Sequence, residues 1–355
     1  MKRCLELAQK GFGKVAPNPM VGCVIVHKDK VIGEGFHQQY GSAHAEVNAI
    51  NSVKNKKLLK DSTLYVNLEP CSHFGKTPPC ADLIIRLGIK YVVIGTIDPN
   101  PVVKGKGLQK LVSLGCDVKV GVLENECREL NKIFFTFHEK KRPYIILKWA
   151  QTKDKYIAAK SQVSSLKSKV STKKNRIQIS GKESISLVHQ WRGEEQAILV
   201  GTKTALNDNP KLTVRKVKGK NPVRVLIDRK LKVPSSFHLL DGKVLTLVFT
   251  IKKKASGKNI EYVVINFEKY LLQQIMSELY KRNIQSLIVE GGAKLLNACI
   301  ETGLWDEARI FTSTRNLSEI AGKNAAGVES PRIAGKLIEQ KSHGSDVLLR
   351  LSNIS

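Results

Sequence analysis

The spacing of three potential zinc ligands constrains the fold of this chain more than any other feature of its sequence. His44 lies within GSAHAEV at residues 41–47, and Cys71 and Cys80 are the ends of the stretch CSHFGKTPPC. One imidazole and two thiolates can hold zinc tetrahedrally with the fourth position open to water. A fold that binds zinc in this way must therefore bring residues 44, 71 and 80 together.

Glu46 follows His44 by two residues at a predicted helix start, so its carboxylate can reach zinc-bound water without binding the metal. This is the general acid and base position of the zinc nucleobase deaminases, whose signature is His-x-Glu followed by Pro-Cys-x-x-Cys. The two cysteines here are separated by eight residues instead of two. Because loop closure becomes only slowly more costly with length, both sulfurs can still reach one metal.

Less specific interpretations of these residues are open. His44 alone is typical of a helix cap or a core histidine, and the two cysteines alone are typical of buried thiols. His73, inside the longer loop, offers a fourth ligand that would close a purely structural zinc site. We favour the catalytic interpretation because a closed site gives the acid beside His44 no role.

Length and composition favour a globular protein of two domains. A chain of 355 residues exceeds one ordinary core, and its 42% hydrophobic and 25% charged residues are typical of soluble proteins. A charged stretch at residues 139–143 predicts a boundary that separates residues 1–142 from residues 143–355. No apolar run approaches the roughly 20 residues of a membrane span, and the first residues do not resemble a signal peptide. We therefore expect a cytoplasmic enzyme.

The formal charge of +28 raises the question of a polyanionic partner. The lysines are scattered over residues 54–60, 167–174 and 252–258, and only 6% of the residues are aromatic. Nucleic-acid grooves of deaminases need aromatic side chains that stack on bases. We interpret most lysines as solvated surface, with some steering phosphorylated substrates, and we expect no nucleic-acid or membrane partner.

Seven cysteines are present, and two are assigned to the metal. The others have no framework spacing and lie in apolar or helical surroundings, so reduced, buried thiols in a reducing compartment are the simplest account. These five are Cys4, Cys23, Cys116, Cys127 and Cys299.

Strands that alternate with helices predict a mostly parallel sheet with helices on both faces in the first domain. Its predicted strands are residues 21–27, 31–36, 63–68, 91–95 and 118–122, and its predicted helices are residues 1–12, 44–53, 81–87, 107–114 and 124–137. The second domain is predicted to have strands at residues 144–149, 196–201, 222–228, 243–250 and 285–290, and helices at residues 182–192, 271–282 and 294–302. Residues 153–174 are polar and predict a mobile surface excursion.

Several motifs together resemble the bifunctional riboflavin-biosynthesis deaminase/reductase family. They are APNPMVG at residues 16–22, GEG at 33–35, HAE at 44–46, PCSHFGKTPPC at 70–80 and DPNP at 98–101. The resemblance extends over nearly the whole chain and implies an α/β protein. Its first domain would be a cytidine-deaminase-like three-layer domain, and its second a dihydrofolate-reductase-like α/β domain.

The resemblance implies two consecutive reactions. Zinc-dependent deamination of a diaminopyrimidinone ribosylamine phosphate, with Glu46 transferring protons, would precede reduction of the ribosylamino group by NADPH. The spacing of basic residues alone does not distinguish NADPH from NADH. A homo-oligomer formed through the reductase domain is a further expectation.

The family's binding residues correspond to specific positions of this chain. The deaminase substrate would contact Asn18, His37, Lys76, Asp98 and Asn100. The cofactor would contact Ala150, Gln178, Thr204, Asp208 and Gly292, and the reductase substrate Arg176, Leu212, Arg215 and Glu290. Considered alone, Asn18, Asn100 and Asp208 are typical turn residues. A pair of glycines at residues 291–292 is equally compatible with a phosphate-binding turn and a plain turn, and it is not a Rossmann fingerprint.

The second domain departs from the family pattern at three places. Lys155 replaces a glycine whose left-handed backbone would cost a lysine about 1–2 kcal/mol, Gln178 replaces a tryptophan, and residues 313–331 differ from the usual sequence. One alternative is therefore a deaminase with an impaired reductase half. Two others are a zinc deaminase that acts on nucleic acid and a non-catalytic zinc-stabilised binding protein.

Overall fold

The computed structural model describes residues 1–74, 78–159 and 177–354. The chain divides into two compact units, Met1–Arg142 and Pro143–Ser355. No described helix has the length and apolar character needed to cross a membrane.

The first unit is built on one five-stranded sheet in the order β2-β1-β3-β4-β5. Its strands are β1 (Gly22–His27), β2 (Lys30–Phe36), β3 (Thr63–Val66), β4 (Tyr91–Ile94) and β5 (Asp117–Val120). Its helices are α1 (Lys2–Gln9), α2 (Ala45–Ser52), α3 (Cys80–Arg86), α4 (Lys106–Ser113), α5 (Glu124–Leu130) and α6 (Lys132–Lys140), with a 3₁₀ helix at Lys56–Asp61.

Alternating side chains of β1 separate two hydrophobic layers. Cys23 and Ile25 join the larger core with residues from α2, α3 and α4, while Val24 packs with Cys4 and Leu7 of α1 on the other face. Helices therefore cover both faces of the sheet, and the expected three-layer arrangement is confirmed.

Two predictions for this unit are wrong in detail. The sheet is mixed rather than mostly parallel, because β1 runs antiparallel to both β2 and β3, and only β3, β4 and β5 are parallel. The single helix predicted for residues 124–137 is two helices that meet at Asn131. The backbone leaves the helical conformation at Asn131, and the Asn131 side chain forms hydrogen bonds with both backbone groups of Met20.

The second unit contains a nine-stranded sheet in the order β11-β10-β9-β8-β12-β6-β13-β16-β15, and a small sheet of β7 and β14. Its strands are β6 (Tyr144–Gln151), β7 (Tyr156–Ala159), β8 (Ala197–Gly201), β9 (Val223–Ile227), β10 (Thr246–Thr250), β11 (Ile260–Val264), β12 (Ser286–Val289), β13 (Glu307–Ser313), β14 (Gly327–Glu329), β15 (Lys336–His343) and β16 (Asp346–Ser352). Its helices are α7 (Lys182–Glu194), α8 (Thr202–Asp208), α9 (Leu271–Lys281), α10 (Ala293–Glu301) and α11 (Leu317–Ala321), with a 3₁₀ helix at His238–Leu240.

The strands from β11 to β13 in this order run parallel, and β16 and β15 add an antiparallel edge. The central strand β12 is buried at every position, because neighbouring strands and helices cover it on all sides. Carboxyl ends of adjacent parallel strands meet at one edge of a sheet, where ligands of open α/β folds bind.

The departures from the family pattern are accommodated in ordered structure. Lys155 keeps the left-handed backbone, with φ +67°. The excursion predicted for residues 153–174 is wrong in its first part, because residues 156–159 form β7 and pair with β14. The remaining residues of that stretch, 160–174, lie outside the described part of the chain. Within residues 313–331, α11 begins at a capping box, and the Leu317 amide donates to Asp154 at 2.9 Å.

Candidate active sites

The three predicted zinc ligands converge in the first unit. The ligand atoms of His44, Cys71 and Cys80 all lie within 4.8 Å of one another. His44 Nδ1 is 3.5 Å from Cys71 Sγ and 3.3 Å from Cys80 Sγ. Tetrahedral zinc with bonds of about 2.0–2.3 Å separates neighbouring ligand atoms by about 3.5 Å. The geometry therefore fits a zinc ion held by these three side chains.

Local structure explains this convergence. His44 is the N-cap of α2, and Cys80 begins α3. Cys71 follows the carboxyl end of β3, and its sulfur accepts a hydrogen bond from the Cys80 amide at 3.4 Å. Two helix starts therefore face one strand end, and both helix dipoles favour negative charge on the sulfurs.

The pKa values of the two cysteine thiols are shifted in opposite directions. Hydrogen bonding from Cys80, together with His44, lowers the pKa of Cys71, although burial opposes this shift. The hydrogen bond to Cys71 and burial raise the pKa of Cys80. The pair therefore holds a thiolate near neutral pH, and metal binding would release the proton that remains.

Glu46 lies in the first turn of α2 and is 3% exposed. Burial, followed by the negative charge of Cys71, raises its pKa to about 7. Glu46 is not a member of the ligand group, and it lines the same cavity as His44 and Cys71. A carboxyl group that changes its protonation state near neutral pH suits proton transfer in both directions.

The cavity has a volume of about 250 Å³ and contains four of the five residues predicted to bind the deaminase substrate. These are Asn18, His37, Asp98 and Asn100. Lys76, the fifth, lies outside the described residues. His73 also lines the cavity, but it is not part of the ligand group that would form a closed zinc site.

Hydrogen bonds orient the predicted base-binding side chains. His37 Nδ1 is 3.1 Å from the Ala43 carbonyl oxygen, which only an N–H can satisfy, so Nε2 accepts from Asn18 Nδ2 at 3.1 Å. Burial lowers the pKa of His37 and favours this neutral tautomer. Burial and the charge of Glu69 raise the pKa of Asp98 to about 7, although a hydrogen bond from the Asn100 amide opposes the shift.

Buried side chains that were not predicted from the sequence hold this cavity together. Glu69 accepts hydrogen bonds from the amides of Asp98, Gly105 and Leu108 at 3.2, 2.9 and 3.0 Å. Helix α4 approaches the same place closely, because a Cβ on Gly107 would lie 2.0 Å from the Pro70 carbonyl oxygen. Glu69 therefore connects the zinc loop to the loop that carries Asp98 and Asn100.

Two buried asparagines perform a similar task for the turn that carries Asn18. Asn67 accepts from the Gly22 amide at 2.8 Å and donates to the Met20 carbonyl at 3.1 Å. Asn131 binds both backbone groups of Met20. An asparagine within a helical run, as at residue 131, is a sequence signal that could have identified this contact.

Replacing Glu69 with glutamine is expected to raise the KM of deamination by about tenfold or more. A glutamine offers one acceptor oxygen and an amino group that faces amide donors, and an unpaired buried donor costs about 1–3 kcal/mol. The loop carrying Asp98 would loosen, while the ligand geometry would persist. Steady-state ammonia release and zinc content measure this, with reductase activity of the same variant as an internal control. An unchanged KM would contradict the role of Glu69.

In the second unit, the structure joins two predicted cofactor residues. The Gly292 amide donates to Thr204 Oγ1 at 3.1 Å. Gly292 is the N-cap of α10 after β12, and Thr204 lies in the first turns of α8 after β8. Ala150 lies near the carboxyl end of β6, which also pairs with β12. These three residues therefore lie at the carboxyl ends of neighbouring strands in the middle of the sheet.

The two other predicted cofactor residues, Asp208 and Gln178, lie at exposed positions. Asp208 is the exposed last residue of α8, and the chain leaves the helix at Asn209 in the left-handed conformation. Gln178 is exposed, and its carbonyl oxygen accepts from Arg315 at 3.4 Å. No described contact joins Gln178 to Thr204 or Gly292.

Three predicted reductase-substrate residues are described. Glu290 is an ion-pair partner of Arg192, and Leu212 is buried with φ +49°. Arg215 is exposed, and its backbone amide donates to His189 Nδ1 at 3.2 Å. Arg176 lies outside the described residues.

Comparisons with known proteins identify the class of each domain. Residues 1–96 match the cytidine and deoxycytidylate deaminase zinc-binding region, and residues 143–349 match the RibD C-terminal domain. The chain thus combines a zinc-dependent deaminase domain with a reductase domain. It is 40% identical to the riboflavin biosynthesis protein RibD of Aquifex aeolicus (strain VF5), over 98% of this chain and 96% of that protein.

Solved structures extend this similarity to the whole fold. A diaminohydroxyphosphoribosylaminopyrimidine deaminase/5-amino-6-(5-phosphoribosylamino)uracil reductase of Thermotoga maritima has a TM-score of 0.80 at 38% identity, covering 99% of this chain and 97% of that one. Acinetobacter baumannii RibD has a TM-score of 0.82 at 31% identity, covering 100% and 98%. The chain belongs to the RibD family of riboflavin biosynthesis proteins.

Proposed function

We propose that this chain deaminates a diaminopyrimidinone ribosylamine 5′-phosphate and then reduces the product's ribosylamino group to a ribitylamino group with NADPH. One observation carries the first activity. A single cavity is lined by two of the three zinc ligands, His44 and Cys71, by the buried Glu46 and by four residues that suit recognition of a polar heterocycle. The family assignment and the joined Thr204 and Gly292 support the second activity.

The chain's own residues account for proton transfer in deamination. Zinc held by His44, Cys71 and Cys80 would lower the pKa of water and supply a nucleophile at neutral pH. Glu46 accepts a proton from the attacking water and donates it to the departing amino group. A C–O bond forms, the exocyclic C–N bond breaks, and ammonia leaves. Asn18 and His37 hold the ring in place from the side of the cavity.

In the reductase unit, chain elements would orient the cofactor and substrate. The N-terminus of α10 suits a phosphate group, because a helix start presents amide donors and a favourable dipole. NADPH would supply the hydride. Glu290 and Arg215 would hold the sugar and phosphate portions of the substrate beside it.

We further propose that the substrate is a free small molecule and that the enzyme works in the cytoplasm. The scattered basic residues and the low aromatic content of 6% support this over a nucleic-acid substrate. Association into a homo-oligomer through the reductase domain remains a prediction from the family resemblance.

The two activities are expected to appear in sequence in the purified wild-type chain. With the diamino substrate, ammonia should be released, and NADPH absorbance should fall only as the deaminated product forms. Absence of ammonia would overturn the deaminase proposal. Ammonia without NADPH consumption, even with added deaminated substrate, would support the alternative of an impaired reductase half. Strongly salt-dependent binding of a short RNA would favour the nucleic-acid alternative.

A further inference from the structure

One face of α7 contacts both of the reductase-substrate loops that the structure describes. His189, Arg192 and Gly193 lie three and four residues apart, so they share a face of the helix. His189 is 3% exposed and accepts the backbone amide of Arg215 at Nδ1. A Cβ on Gly193 would lie 3.6 Å from Gly219 Cα, so the segment after Arg215 packs on the helix.

Arg192 holds Glu290 at two points. Its Nε and Nη2 donate to the two carboxylate oxygens at 2.9 and 2.7 Å. Both side chains are only 12% exposed. A bidentate guanidinium fixes the plane of a carboxylate as well as its position, which a single ammonium group does not.

Neighbouring charges and burial determine the protonation states of Glu290 and His189. Burial opposes ionisation of Glu290, but the charges of Arg192 and Lys148 outweigh it and lower the Glu290 pKa to about 2. Burial, followed by the charges of Arg192 and Arg215, lowers the pKa of His189 to about 4. Glu290 is therefore an acceptor at neutral pH, and the neutral His189 ring keeps a lone pair for the Arg215 amide.

We propose that Arg192 is a positioning residue of the reductase site, where its two-point contact orients the Glu290 carboxylate to accept a hydrogen bond from the substrate. This inference rests on the proposed reductase function. His189 is its counterpart on the same helix face and holds the backbone at Arg215. Helix α7 thereby sets the distance between the two substrate-binding loops.

The arrangement also selects the chemical class of the group that Glu290 recognises. Each carboxylate oxygen that accepts from Arg192 keeps one further acceptor position. An ionised acceptor binds N–H or O–H donors, so the partner is an amino group of the pyrimidine or a hydroxyl of the sugar. A phosphate group in contact with this carboxylate would be repelled, so the phosphate of the substrate must lie elsewhere.

Substituting Arg192 tests the proposal in the full chain. Arg192→Met is expected to raise the reductase KM for the deaminated substrate by about tenfold or more, the scale of a lost charge-assisted contact, with kcat changed much less. Arg192→Lys restores the charge without the two-point contact, so its KM should lie between those of the wild type and Arg192→Met. The NADPH dissociation constant, measured by fluorescence, and deaminase activity should stay at wild-type values.

A second variant keeps the test decisive if the unpaired Glu290 of Arg192→Met unfolds the domain. Arg192→Met combined with Glu290→Gln removes both charges, and its KM should equal that of Glu290→Gln alone if Arg192 acts through Glu290. Arg282→Met is the matched control, because Arg282 pairs with Glu261 and Glu278 at the end of α9. It should leave the KM unchanged.

The possible failures are distinguishable. An active wild type whose KM is unchanged in a folded Arg192→Met variant, or independent effects in the double variant, would overturn the positioning role alone. An equal loss of NADPH affinity would also overturn it, since that result indicates general disruption. A wild type that never oxidises NADPH would instead overturn the proposed reductase function.

Discussion

Replacing Glu46 with glutamine is expected to lower the rate of ammonia release by about 10²–10⁴-fold while zinc content stays at the wild-type level. Glu46 faces the cavity beside His44 and Cys71 but is not part of the ligand group. An amide of nearly the same shape fills its site but cannot accept a proton from water. The chemical step should therefore fail while metal binding persists.

The control for this experiment is Glu126→Gln. Glu126 is also an acid in the first turn of a helix, α5, but it is exposed and lies outside the cavity. Its rate of ammonia release should match the wild type, and both variants should oxidise NADPH normally with the deaminated substrate. Undiminished ammonia release by Glu46→Gln would contradict the proton-transfer role of Glu46, whereas no ammonia release by either the wild type or the variant would favour a zinc-stabilised binding protein.

The deaminase centre was predictable because its signal is local. His44 and Glu46 stand two residues apart at a helix start, and Cys71 follows a strand of alternating apolar residues. The physical requirement for three zinc ligands then connects segments that are distant in sequence. By contrast, Glu69 contacts amides 29 to 39 residues away, and only the tertiary fold brings them together.

Strand direction and the strands at the edge of the sheet were harder to predict from the sequence. Side-chain alternation has the same period in parallel and antiparallel strands, so the antiparallel pairing of β1 with β3 left no sequence signal. The strand predictions also ended before β13, β15 and β16. Strand β15 is mostly exposed and polar along its length, because it forms the edge of the sheet and covers little of the core.

The reductase site depended on resemblance rather than on chemistry visible in the sequence. Neither Thr204 nor Gly292 carries a distinctive spacing, yet the fold joins them by one hydrogen bond across β8 and β12. Arg192 appeared only as the last residue of the helix predicted for residues 182–192. Its bidentate pairing with Glu290 spans 98 residues of sequence, so no local pattern indicates it.

Cys80→Ser is expected to abolish zinc retention and deamination together, whereas Glu46→Gln separates them. Cys80 is fully buried at the start of α3, within 3.3 Å of His44 Nδ1. A serine hydroxyl at this place is a poor zinc ligand, since it stays protonated at neutral pH, and two remaining ligands do not make a stable site. Metal analysis after dialysis should find almost no zinc, and ammonia release should fall to background.

Thermal unfolding adds a readout that is independent of catalysis. Zinc that binds only the folded state stabilises it, so a chelator should lower the Tm of the first unit in the wild type and leave that of Cys80→Ser unchanged. Cys116→Ser is the matched control, because Cys116 is a free, half-buried thiol outside the ligand group. It should keep both zinc and the chelator response. Full zinc occupancy in Cys80→Ser would show that the metal is held by a different set of side chains, and the assignment of Glu46 as its neighbouring acid would fall with it.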